Sequence, residues 1–162
     1  MTPKEFVQKF GKAAAKACAG TKLFTSVCLA QMALETGWGK DGIATKYNNW
    51  FGIKADASWK GKKVLLLTVE EVNGVRKSVK QWFRVYDTAD ESIKDRVKFL
   101  LDNPRYKQFG VFAAKTPAQQ AQALEKAGYA TASNYNEVIE SIIKSNNLTA
   151  LDDLAETLAE KK

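Results

Sequence analysis

The stretch Thr25-Ser26-Val27-Cys28-Leu29-Ala30-Gln31-Met32-Ala33-Leu34-Glu35-Thr36, followed by Gly37-Trp38-Gly39, decides how the rest of the chain is read. It is almost wholly apolar, holds no proline, and meets a glycine where a helix end favours one, so it predicts a helix over about 25–36. A helix that is apolar all round is buried, which makes this one the centre of its domain. Upstream, Thr2-Pro3-Lys4-Glu5 reads as a cap, a first-position proline and the glutamate of a capping box. Phe6, Phe10, Ala13, Ala14 and Ala17 then follow at helical spacing.

Downstream the period changes. Val64 to Val72 and Val75 to Tyr86 are β-rich runs joined at Asn73-Gly74, a strong hairpin signal, which places a β-hairpin lobe at about 62–86. Thr88-Ala89-Asp90-Glu91 opens another helix, with Ile93, Val97, Leu100 and Leu101 on one face. Further helices are expected from Thr116-Pro117 to Gly128 and from Ser133, where Tyr135, Val138, Ile139, Ile142 and Ile143 form a stripe. Thr149 and Asp152 are candidate caps for an acidic last helix over about 149–160, bearing Leu151, Leu154, Ala155 and Leu158. No repeat or linker-like tract interrupts residues 1–162, so one α+β domain is expected: a helical body with one inserted hairpin.

Composition narrows the chemistry. The 162 residues are 45% hydrophobic and 27% charged, enough apolar material for a core. The longest aliphatic run, Val64-Leu65-Leu66-Leu67, is far short of the roughly 20 residues that cross a bilayer, so no membrane insertion is expected. The opening Met1-Thr2-Pro3-Lys4-Glu5-Phe6 lacks the pattern of a secretory signal. With no histidine, Ser-His and Cys-His nucleophile pairs and His-containing zinc sites are excluded. Cys18 and Cys28 cannot make a four-thiolate site either, so neither metal nor cofactor is expected. The two thiols fit a disulfide in an oxidising compartment or a pair of buried free cysteines.

The formal charge is +7, from 25 Lys and Arg against 18 Asp and Glu. The segment after Asn146 holds four of the acids and two of the lysines, which leaves 23 bases against 14 acids, or +9, in residues 1–146. Such a charge draws a domain toward polyanions, among them nucleic acid, anionic lipid and bacterial wall polymers, or simply keeps it soluble.

Glu35 is the candidate for chemistry. At the C-terminal end of the apolar helix the helix dipole disfavours a carboxylate, and burial beside Leu34 or Trp38 would disfavour it further. Both effects raise the pKa, as a general acid near neutral pH requires. A fully solvated glutamate at a helix end is the plainer alternative. The segment Asn48-Asn49-Trp50-Phe51-Gly52-Ile53-Lys54 pairs amides, which bond sugar hydroxyls and acetamides, with aromatics, which pack on pyranose rings. It suits a carbohydrate cleft and also a turn anchored by buried aromatics.

Taken together, these stretches resemble the glucosaminidase domain of peptidoglycan hydrolases, glycoside hydrolase family 73, found in autolysins, the flagellar-rod hydrolase and phage endolysins. The resemblance runs in order through Leu29-Ala30-Gln31, Leu34 to Lys40, Asn48 to Lys54, Trp59-Lys60-Gly61, Thr68 to Gly74, Phe83 to Asp87 with Glu91-Ser92-Ile93, Pro104-Arg105-Tyr106 and Ala127 to Thr131. It covers about residues 3–148. It implies a lysozyme-like helical lobe facing a hairpin lobe across a sugar-binding groove. The implied reaction is cleavage of the β-1,4 bond between N-acetylglucosamine and N-acetylmuramic acid, with Glu35 as general acid. The implied second carboxylate is Glu70, Glu71 falling where relatives carry an aromatic residue, and Tyr129 is implied beside the reacting sugar. Asn48, Asn49, Trp50, Phe51, Trp38 and Tyr135 are the expected substrate-binding residues.

The chain departs from that pattern at two places. Ala132 and Ser133 stand where relatives commonly carry Asp-Pro, which removes a carboxylate near the groove, and Trp50 replaces a smaller apolar residue and would change one cleft wall. Depending on its distance from Glu35, Glu70 would act as nucleophile or activate water; alternatively the substrate's own acetamido oxygen attacks. The expected partner is a peptidoglycan glycan strand, met by a monomer in the periplasm or outside the cell. Competing readings are a muramidase on the neighbouring bond, a non-catalytic wall-binding module and, with only the charge in its favour, a nucleic-acid binder.

Overall fold

The computed structural model describes residues 1–130 and 132–161; Thr131, the last residue of the Ala127–Thr131 match, lies outside the described residues. The chain opens with α1 (Pro3–Cys18), whose capping box forms: the Thr2 hydroxyl accepts from Glu5 N, and the Glu5 carboxylate accepts from Thr2 N. Helix α2 (Thr25–Thr36) follows and ends at Gly37, which takes the left-handed conformation at φ 55°. Ten of its twelve residues are buried, Leu34 and Glu35 being the two that are not. It packs against α1 and against three later helices, α6 (Pro117–Lys126), α7 (Tyr135–Ser145) and α8 (Ala150–Glu160). The core is therefore a shell of amphipathic helices around one apolar rod.

Strands β1 (Lys63–Val72) and β2 (Val75–Arg84) form the hairpin, paired antiparallel from Lys63 opposite Arg84 to Val72 opposite Val75. Both turn residues have positive φ, Asn73 at 54° and Gly74 at 78°, as a two-residue hairpin turn requires. Arg84 anchors the base of the hairpin: its Nη1 donates to Asp95 of α4 (Ala89–Asp102) at 2.9 Å, and Tyr86 Oη donates to the same carboxylate at 2.5 Å. The short helices α3 (Gly42–Tyr47) and α5 (Pro104–Gln108) were not legible as periodic stretches.

Asp152 differs from its sequence reading. It does not cap its own helix. Phe24 supplies no side-chain cap to α2, and Asp152 reaches over from α8 to accept from Ser26 N at 2.8 Å and from Ser26 Oγ at 2.7 Å. A carboxylate at the first turn of α2 satisfies donors that the helix leaves open. Burial raises its pKa, although the bonds from Ser26 oppose that. Asp152→Ala is expected to lower stability by about 1 kcal/mol, the usual cost of a lost N-cap, read as a shift in the urea midpoint with unchanged slope.

Cys18 and Cys28 are free and buried, close enough for each thiol to shift the other's pKa, Cys18 upward and Cys28 downward. At the Thr88 cap the Glu91 carboxylate accepts from Asp87 N, one residue before the expected partner.

Candidate active site

Glu35 lies where the buried rod reaches the surface, at the last turn of α2. Much of the residue is exposed, yet its carboxyl end lies against the backbone of Gly52 in a cavity of about 620 Å³. Desolvation there, aided by the negative charge of Asp41, pushes its pKa up to about 7. No hydrogen bond or ion pair engages the Glu35 side chain among the described residues, so nothing counters the desolvation. The approach of Gly52 is close: a β-carbon at that position would sit 2.3 Å from Glu35 Oε1, and the backbone has φ +64°. Only glycine meets both conditions without displacing the carboxylate.

The opposite wall is the hairpin. Glu70 faces the cavity, with Lys54 Nζ at 3.3 Å and Gln81 Nε2 donating to its Oε1 at 2.9 Å. Glu71 points to the other face of the strand, opposite Arg76, and is exposed. Tyr129, Tyr135, Phe51 and Tyr106 line the remainder of the cavity. The rings of Tyr106, Tyr129 and Tyr135 form a chain, with centroids 6.2 Å apart at each step. Burial raises the hydroxyl pKa of both Tyr129 and Tyr135 and keeps them protonated.

Glu35, Glu70, Tyr129, Phe51 and Tyr135 thus share one groove. The other expected binding residues do not line it. Trp50 is 4% exposed and packs among Phe6 and Phe10, with centroids 6.2 and 4.6 Å away, so its bulk fills the core and forms no cleft wall. Trp38 stacks edge-on against Phe6. Asn49 is 1% exposed and fully occupied: Nδ2 donates to Ile53 O and Arg84 O, each at 2.9 Å, and Oδ1 accepts from Ile53 N. It holds the 49–53 loop beneath the hairpin and so places Gly52 against Glu35. Asn48 ends α3 in the left-handed conformation and ties it to the Tyr86 and Asp87 carbonyls. The amides and indoles build the site from behind. A roomier cavity, about 900 Å³, opens between the start of α2 and α8, but its carboxylates Asp152 and Glu156 share one helix and Asp152 is committed to Ser26.

A helical body with a hairpin across a groove, and two carboxylates on facing walls, defines a lysozyme-like glycosidase. Residues 11–148 match the glucosaminidase family, described as mannosyl-glycoprotein endo-β-N-acetylglucosaminidase, and the chain belongs to that family. It is 41% identical over 145 residues to the peptidoglycan hydrolase FlgJ of Salmonella typhimurium, covering 87% of this chain and 45% of the relative. Its identity to the exo-glucosaminidase LytG of Bacillus subtilis is 33% over 138 residues, 82% of this chain and 48% of LytG. The chain spans about half the length of these curated relatives. Among solved structures, the catalytic domain of the autolysin Auto from Listeria monocytogenes superposes with a TM-score of 0.80 at 31% identity, covering 93% of this chain and 87% of that one.

Proposed function

We propose that this domain hydrolyses the β-1,4 bond on the reducing side of N-acetylglucosamine in peptidoglycan, acting on the bacterial cell wall outside the cytoplasmic membrane. The observation that carries the proposal is the Glu35 carboxyl, set against Gly52 with no hydrogen-bond or ion-pair partner among the described residues, across a groove from Glu70; desolvation there pushes its pKa up to about 7. Glu35 gives its proton to the glycosidic oxygen as the bond to the anomeric carbon breaks; a water molecule then bonds to that carbon and gives up a proton, which restores the acid over the cycle. Glu70, oriented by Lys54 and Gln81, faces the positive charge that develops on that carbon. The aromatic walls pack against the sugar rings, and Tyr129 stands beside the reacting one. Digestion of purified peptidoglycan, with the new reducing ends identified, tests the reading. Ends in N-acetylglucosamine support it; ends in N-acetylmuramic acid make the domain a muramidase.

Glu70→Gln is expected to cost at least about tenfold in turnover, because it removes a charge facing the reacting centre. Glu71→Gln is expected to stay within about twofold, as exposed substitutions do. A reversed ranking, measured on one soluble glycan, moves the second carboxylate to Glu71. Charge gives a further expectation. Hydrolysis of intact walls should fall as salt rises from about 0.05 to 0.5 M, while a short soluble glycan responds much less, because the long-range attraction to the wall is what salt screens. Equal responses would remove steering from the account.

A further inference from the structure

Arg96 of α4 is the largest wholly buried side chain among the described residues, and it has no carboxylate partner. The adjacent Asp95 is taken by Arg84 and Tyr86. Arg96 Nε donates to Gln31 Oε1 at 2.8 Å, while Nη1 and Nη2 have no hydrogen-bond partner among the described residues. Its guanidinium lies 5.7 Å from the Phe51 ring centroid. A buried cation satisfied at one nitrogen of three is a poor device for stability. What it does control is polarity.

A guanidinium only donates, so the oxygen of the Gln31 amide must face Arg96. The amide nitrogen is thereby turned the other way, where it donates to Tyr135 Oη at 2.6 Å. The tyrosine oxygen is then an acceptor on that side, and its own hydrogen is left over. No other hydrogen bond of Tyr135 Oη exists among the described residues, and the side chain lines the groove within electrostatic reach of Glu35. Gln31 is one turn before Glu35 on α2, so the relay and the candidate acid share a rigid element.

We infer that Arg96 and Gln31 are positioning residues that fix Tyr135 as a hydrogen-bond donor to a neutral oxygen of the bound glycan, either an acetamido carbonyl or a hydroxyl. The inference rests on the groove being a glycan site, as proposed above. Among the described residues no side-chain hydrogen bond holds the Tyr129 hydroxyl, so the relay acts on Tyr135 and not on Tyr129.

Gln31→Glu is the discriminating variant because it keeps the size and reverses the polarity. The new carboxylate pairs with Arg96 and accepts the Tyr135 hydrogen, drawing it away from the groove. The expected result is a thermal midpoint no lower than wild type together with about tenfold weaker binding of a soluble N-acetylglucosamine–N-acetylmuramic acid glycan, the factor one neutral hydrogen bond carries. Tyr135→Phe should show the same loss, and the double variant should lose no more than Tyr135→Phe alone. Repeating the titration with the N-deacetylated glycan identifies the acceptor: the loss disappears if it is the acetamido carbonyl and persists if it is a hydroxyl. Wild-type binding by Gln31→Glu, or losses that multiply in the double variant, overturns the relay. A wild-type protein that neither binds nor cleaves the glycan overturns the glycan-site reading, and the relay with it.

Discussion

Glu35→Gln is expected to abolish hydrolysis, by roughly 10²–10⁴-fold, in a protein that remains folded. The amide keeps the shape of the side chain but has no proton to give the leaving oxygen. Activity within a few-fold of wild type would sink the assignment, since that corresponds to about 1 kcal/mol of barrier or less. The pH dependence follows from the same group. As the acid, Glu35 must be protonated, so turnover is expected to decline as pH rises through about 7. The stability effect has the same sign. A carboxyl raised from 4.5 to about 7 on folding holds its proton more tightly in the native state, so its contribution is complete below about 4.5 and is lost as pH rises through 7. The thermal midpoint of Glu35→Gln should match wild type in acid and exceed it above neutrality. A gap that is constant with pH would show that Glu35 titrates normally.

Gly52→Ala should approach that loss of activity in a protein that still folds. The added methyl meets Glu35 Oε1 at 2.3 Å, and the end of a glutamate side chain moves aside easily. Folding is then charged mainly with the left-handed backbone at φ +64°, about 1–2 kcal/mol. The displaced carboxyl, however, is no longer where the glycosidic oxygen arrives, and a misplacement of about 1 Å in a reacting group costs on the order of 10²-fold. The measurement is kcat on a soluble glycan beside a urea melt. Near-wild-type turnover would mean that the close contact between Gly52 and Glu35 does not set the acid's position.

Much of the fold was legible because its signals are local. Thr2 to Glu5 announces α1 through bonds spanning three residues. Asn73-Gly74 announces the hairpin through the φ values its turn needs. The continuous apolarity of Thr25–Thr36 announces the central rod, and ten of its twelve residues are indeed buried. The strand period also separates Glu70 from Glu71, since consecutive residues must face opposite sides. Family resemblance said which of the two to favour, and the hairpin turns that one toward the groove.

The order of residues alone thus settles where helices and strands begin, which helix is central, and that a glutamate ends that helix in an apolar setting. What the segment from Asn48 to Lys54 does is settled by packing. Amides and aromatics serve a sugar or a core equally well by composition, and the choice depends on partners distant in the chain: Arg84 and Ser92 for this loop, Phe6 and Phe10 for Trp50. The same holds for Asp152, whose bond to Ser26 joins residues 126 apart, and for Gln31, whose neighbours Arg96 and Tyr135 come from two other helices. Caps, turns and periods are settled within a few residues of backbone, whereas the direction in which a polar side chain is satisfied is settled by whichever donor or acceptor the packed helices bring beside it.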